Sequence, residues 1–241
     1  VSPPAAHRAE AAWSRLRTAA LRARIAATRR LAGRRIARLY HYELLYRTHN
    51  FGSTRWMGVP IWQNVLDLWT MQETIAELRP ALVIEIGTHR GGSALFYAQL
   101  LELLGGGRVI TVDVVDAREC EHERIEFLHG SSTDPEIVER VRAAARAAEG
   151  PVMVILDGDH GRENVARELE LYAPLVTEGS YLLSQDGVID ELAIFRDSRP
   201  GPLEANREFL RANPDFEHDA ERNGRYGLSH HPLGWLRRVR S

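Results

Sequence analysis

One segment constrains this chain more than any other. Residues 81–101 read ALVIEIGTHRGGSALFYAQLL: an apolar run carrying Glu85 near its end, a turn at Gly87, then Gly91, Gly92 and Ser93 opening a helical pattern. A strand this apolar is buried on both faces, which calls for a parallel sheet covered by helices. The pattern repeats downstream. Strands are expected over 81–86, 108–113, 125–129, 152–157 and 180–184, separated by helices near 92–104, 135–148 and 162–175. A further helix is expected over 64–78, stopped by Pro80.

Open sheets of this kind bind ligands at the carboxyl ends of their strands, where glycines let the backbone come close. The dinucleotide fingerprint G-x-G-x-x-G is not met, because the turn reads Gly87-Thr-His-Arg-Gly91-Gly92 and lacks the second glycine. That counts against a pyrophosphate ligand. The form E-x-G-x-x-x-G-x-S, spanning Glu85, Gly87, Thr88, Gly91 and Ser93, instead resembles the first motif of class I S-adenosylmethionine-dependent methyltransferases. On that likeness Ser93 is expected to donate to the methionine carboxylate at a helix N-terminus. Asp113, 26 residues after Gly87, is placed to take ribose hydroxyls, and Ser131 and Ser132 suit the adenine edge.

The fourth and fifth strands end in acids. LDGDHGREN supplies Asp157, Asp159 and His160, and SQDGVID supplies Gln185 and Asp186. Neighbouring strands lie about 4.8 Å apart, so Asp157, Gln185 and Asp186 are expected to share one cleft, an oxygen set suited to magnesium. Solvated strand ends are the alternative reading, and Asp159 is expected to cap the next helix. Trp56, Trp62, Gln63 and Trp69 precede the first strand as a candidate flap, with 189–202 as a second wall.

Charge divides the chain. Residues 1–50 hold eleven arginines against two acids, a formal +9, which leaves −11 for the remainder of a chain whose total is −2. Trp13, Leu16, Leu21, Ile25, Leu31, Ile36 and Leu39 recur there at helix-like intervals with arginines on the other faces, and Gly33 is a candidate break. A basic helical arm (1–50), a cap and helix (51–80) and a cofactor-binding domain (81–241) are the expected organisation. The sequence has no lysine, which excludes Schiff-base chemistry and the Walker-type phosphate loop. The lone Cys120 excludes a disulfide framework or thiolate metal site. No apolar run approaches a membrane span, so a cytoplasmic protein is expected. The arm could bind anionic lipid or nucleic acid, or pack on its own domain or a sister subunit; no groove-reading motif accompanies it, so packing is the favoured reading, nucleic acid is not expected as a partner, and a homo-oligomer is.

From about Trp56 to Val239 the chain resembles the cephalosporin hydroxylase / rhamnosyl O-methyltransferase family. The likeness rests on MGVPIWQNVLDLW, VIEIGTHRGGSALFYAQLLELL, LDGDH, SQDGVID and HHPLGWLRRV. It implies a Rossmann-like class I methyltransferase fold with a mostly parallel seven-stranded sheet and helices on both faces. It also implies S-adenosylmethionine as cofactor, a small-molecule hydroxyl as acceptor, and Mg2+ held by Asp157 and the pair Gln185–Asp186. In related sugar O-methyltransferases of macrolide pathways a histidine three residues after the first metal aspartate serves as base, which here is His160. Relatives carry glutamate where this chain has Gln185, a loss of one negative charge that predicts weaker ion binding. Two other classes remain open: a component of a hydroxylase pair, and a non-catalytic cofactor-binding scaffold.

Overall fold

A computed structural model describes residues 5–47 and 49–240. The chain forms two compact units, Val1–Thr48 and His49–Ser241. The first is dominated by one helix, α1 (Ala5–Tyr42), which continues through Gly33, so the expected break is absent. A short π-helical turn, Glu43–Arg47, follows it. At 100° per residue, Arg24 and Arg38 project within about 20° of Trp13 and Leu31. The arginines therefore share the apolar residues' side of α1, and no single apolar stripe runs along it.

In the second unit, a helical turn α2 (Asn50–Ser53) leads to a small hairpin, β1 (Arg55–Trp56) and β2 (Val59–Pro60). Helix α3 (Val65–Leu78) starts at Asn64, whose side chain accepts from Leu66 N at 3.2 Å, and ends at Arg79 in the left-handed region before Pro80. The sheet elements follow: β3 (Leu82–Ile86), α4 (Gly92–Leu103), β4 (Arg108–Asp113), β5 (Ile125–His129), α5 (Pro135–Arg146), β6 (Val152–Leu156), α6 (Arg162–Tyr172) and β7 (Tyr181–Ser184). Each lies where the apolar periodicity places it. Beyond 184 the chain adds helix α7 (Pro202–Ala212), β8 (Phe216–His218), a turn α8 (Ala220–Asn223) and β9 (Trp235–Arg238).

The seven strands are ordered β5-β4-β3-β6-β7-β9-β8. Six share one direction, five of them paired directly in parallel, and β9 runs antiparallel to both of its neighbours. The chain winds outward from β3 through β4 to β5, then returns to β6 on the other side of β3, so the switch point lies between β3 and β6. Alternation along the strands sorts the core into two layers. Leu82, Ile84, Val152, Val154 and Leu182 face the layer holding α5, α6 and α7; Val83, Met153, Ile155 and Leu183 face the layer holding α3 and α4.

The switch point is tight. Gly87 has φ 98°, and a Cβ there would lie 2.1 Å from the Asp157 carbonyl oxygen. Gly87→Ala is expected to cost about 3 kcal/mol or more in urea unfolding, combining backbone strain with a clash against main chain that cannot yield. Gly179 has φ 81° and open space around it. Gly179→Ala should therefore cost only about 1 kcal/mol, which isolates the strain contribution.

Candidate active site

Strand register builds the site. Ile86 pairs with Leu156, and Leu156 with Ser184, so β3, β6 and β7 end level. The ladder continues one step past each strand: Asp157 N donates to Ile86 O at 2.8 Å and Gln185 N to Leu156 O at 2.9 Å. Alternation then sends Glu85, Asp157 and Gln185 to the same face as Met153, Ile155 and Leu183. Three polar side chains thus converge beneath α4, beside the buried Tyr97 hydroxyl, which hydrogen-bonds Gln185.

A cleft of about 530 Å³ opens over these strand ends. At its edge, ligand atoms of Asp157, His160 and Asp186 all lie within 4.8 Å of one another. His160 Nε2 is 3.5 Å from Asp186 Oδ2. Gln63 Nε2 donates to Asp157 Oδ2 at 2.7 Å and also lies 2.7 Å from the Gln185 side-chain atom turned toward Asp157. Burial, with the charges of Asp186 and Glu85 nearby, pushes the Asp157 carboxyl well above its ordinary range, and the Gln63 bond only partly opposes this.

The Gln185 side-chain atom turned toward Asp157 lies 2.9 and 3.0 Å from the two carboxylate oxygens. With the nitrogen there, the amide donates to Asp157. With the oxygen there, two acceptors face each other at about the 3 Å spacing of adjacent oxygens in octahedral magnesium, an arrangement that a cation or a proton stabilises. Asp157, Asp186 and the Gln185 carbonyl are a hard oxygen set with His160 beside it, and this donor set fits magnesium.

The glycine turn holds the middle of the cleft. Asp113 Oδ2 accepts from the backbone N–H groups of Thr88 and His89 at 2.9 and 2.8 Å, and Oδ1 from Val115 N at 2.9 Å. Asp113 therefore fixes the turn's shape as well as facing the cleft. Thr88 Oγ1 meets Thr111 Oγ1 at 2.7 Å, and Thr111 donates to Glu85 Oε2 at 2.6 Å. Ser93 also bonds Glu85. The Thr88 and Ser93 hydroxyls are thus engaged behind the turn, although both residues line the cleft. Burial pushes the Glu85 carboxyl up to about 7, against these hydroxyl bonds.

Gly87, Thr88, Ser93, Asp113, Ser131, Ser132, Asp157, His160 and Asp186 all line the cleft, whereas Glu85, Gly91 and Gln185 lie behind its wall. Gly91, at φ 85°, backs onto Cys120. Asp159 does not cap α6, whose N-cap is Gly161; its Oδ1 instead accepts Gly161 N at 2.9 Å in the preceding turn. Of the three tryptophans in the candidate flap, Trp62 lines the cleft, with its ring 4.3 Å from that of His89. Trp56 packs edge-on against Phe96 and donates to Gln99, while Trp69 is exposed on α3. Among the described residues, none from 189 to 202 lines the cleft. Sequence reasoning missed Glu168, a cleft residue on α6 that accepts from Ser132 and Asn164 at 2.6 and 2.9 Å. Its position one helix turn beyond Asn164 was the available signal.

A parallel switch-point sheet closed by one antiparallel strand, with a glycine turn and strand-end acids over a single cleft, defines a Rossmann-like class I methyltransferase fold. Solved structures of CmcI share it. An apo form aligns with a TM-score of 0.63 at 24% identity over 78% of this chain and 77% of that one, and a Mg and SAM form with 0.62 at 23% over the same shares. The Rhamnosyl O-methyltransferase/CmcI family model matches residues 49–239, and the chain belongs to that family. Rhamnosyl O-methyltransferase of Mycobacterium tuberculosis H37Rv is 36% identical over 207 residues, covering 83% of this chain and 84% of that protein. The protein of that name from Mycobacterium leprae is 35% identical, covering 83% and 90%. The chain is accordingly an O-methyltransferase.

The Glu85 carboxyl makes stability depend on pH. Its folded pKa of about 7 lies above the ordinary 4.5, so the folded state holds a proton that the unfolded chain releases. Stability is full below about pH 4.5 and falls as pH rises through 7. Between pH 5 and 8 the loss assigned to Glu85 is about 3 kcal/mol. Urea unfolding across that range is expected to show a flatter pH dependence for Glu85→Gln than for the unsubstituted protein. Parallel curves would transfer the effect to other buried acids.

Proposed function

We propose that the chain transfers the methyl group of S-adenosylmethionine to a hydroxyl of a small-molecule glycoside, a rhamnosyl-like sugar, with magnesium held by Asp157, Gln185 and Asp186. The observation that carries this reading is the convergence of Asp157, His160 and Asp186 at the edge of the cleft, within 4.8 Å of one another. The names of the curated relatives support the sugar acceptor.

When bound, magnesium supplies positive charge that eases ionisation of an acceptor hydroxyl, and S-adenosylmethionine supplies an electrophilic methyl. The chain's residues do the rest. The first-turn backbone N–H groups of α4, at Gly92 and Ser93, face a carboxylate across the helix N-terminus. The Asp113 carboxylate takes ribose hydroxyls with the capacity its backbone bonds leave, and Ser131 and Ser132 meet the adenine edge. His160 accepts the acceptor's hydroxyl proton at Nε2, and Asp186 Oδ2, 3.5 Å away, stabilises the imidazolium that results. Trp62 offers a flat face to the sugar ring, and its placement beside His89 brings the acceptor over the glycine turn.

Labelled methyl transfer from S-adenosylmethionine to a panel of rhamnosides, with and without EDTA, tests the reading. Transfer lost in EDTA and restored by magnesium is expected; transfer indifferent to EDTA overturns the metal assignment. His160→Ala should lower the transfer rate by about 100-fold or more while leaving cofactor binding, measured by calorimetry, unchanged. Gln185→Glu, which adds a second buried carboxylate beside Asp157, is expected to tighten magnesium binding by about tenfold in a calorimetric titration.

A further inference from the structure

Asp186 is held in an uncommon backbone state. Its φ of 56° and ψ of 25° lie in the left-handed region, which costs a non-glycine residue about 1 kcal/mol and persists only where the surroundings fix it. The fixing groups come from the closing loop of the chain. The buried His231 ring accepts the Asp186 backbone N–H at Nδ1, 3.0 Å away. Gly187 is pressed so close to this loop that a Cβ would lie 2.7 Å from Pro232 O.

Because Nδ1 accepts, the ring proton sits on Nε2, which faces the buried Asp67 carboxylate at 3.8 Å. Asp67 is itself fixed: its Oδ2 accepts from Asn64 Nδ2 at 3.0 Å and His230 N at 2.8 Å. A carboxylate, an imidazole and a backbone amide therefore follow one another from the start of α3 to the strand-end pair, the first two 3.8 Å apart and the last two hydrogen-bonded.

We propose that His231 is a positioning residue for Asp186: its Nδ1, with the Asp67 carboxylate on the far side of the ring, holds the left-handed backbone that aims the Asp186 carboxylate at His160 and Asp157. His231 hydrogen-bonds the amide, while Asp186 Oδ1 stands 3.8 Å from the same Nδ1, beyond hydrogen-bond reach, so the ring acts through geometry. The inference rests on the magnesium reading above. Outer-shell groups of this kind change metal affinity by about 10- to 100-fold when removed.

Two substitutions separate positioning from packing. In His231→Asn the side-chain oxygen falls where Nδ1 was and still accepts the amide; in His231→Gln the polar group falls near Nε2 and does not. Mn2+ binding to the metal-free full chain is followed by the electron paramagnetic resonance signal of free Mn2+, with S-adenosylhomocysteine calorimetry in parallel. His231→Gln is expected to weaken Mn2+ binding by about 10-fold or more, His231→Asn to stay within about threefold of the unsubstituted protein, and S-adenosylhomocysteine affinity to stay within about twofold in both. Equal Mn2+ affinity in all three proteins overturns the proposal while leaving the metal reading intact. So does a parallel loss of both ligands, or a His231→Asn no better than His231→Gln. If the unsubstituted chain takes up no Mn2+, the metal reading itself falls and takes the proposal with it. Asp67→Asn, isosteric and remote from the strand ends, keeps the test decisive if the His231 variants do not fold: it should weaken Mn2+ at least about threefold, and unchanged affinity overturns the proposal.

Discussion

The main chain after β3 lies against the Asp157 carbonyl so closely that residue 87 has no room for a methyl group. Much of the site follows from that contact. It closes the switch point, levels the ends of β3 and β6, and keeps the glycine turn directly beside the strand-end acids. Because β6 and β7 are in register, Gln185 arrives at the same height, and period-two alternation puts it on the same face as Glu85 and Asp157. The cluster of buried acids is thus a result of sheet geometry. Its electrostatic cost appears as the raised pKa values of Glu85 and Asp157, and two neutral amides, Gln63 and Gln185, occupy the space among them.

The strands over 108–113 and 125–129 were legible to the residue, since each is an apolar run bounded by turn residues. The strands β6 and β7 and the helices α3 to α6 were legible to within a few residues from the same kind of pattern. The C-terminal elements were not. Strands β8 and β9 have three and four residues, and β9 alternates poorly, with Trp235 and Leu236 both buried. Their identity as strands comes from pairing: β9 with β7, some fifty residues distant, and β8 with β9, contacts that no local pattern reports. In α1 the periodicity was real, but intervals alone concealed that arginines share the apolar side.

For the site, the residues at strand ends were readable because topology alone brings them together. What sequence did not show was where hydroxyls point. Ser93 and Thr88 look like ligand contacts by position, yet their side chains bond inward to Glu85 and Thr111. Nor did it show the partners of Gln63 and His231, which lie 94 and 45 residues away in the chain. A hydrogen bond across such a separation leaves no periodic trace.

The residues just before α3 join these observations. Trp62 lines the cleft, and the next residue, Gln63, hydrogen-bonds Asp157 and lies against the Gln185 amide. On the function proposed above, an acceptor that displaced the main chain at Trp62 would displace the Gln63 amide with it. The binding of acceptor and ion would then be linked, each ligand altering the other's affinity by the same factor.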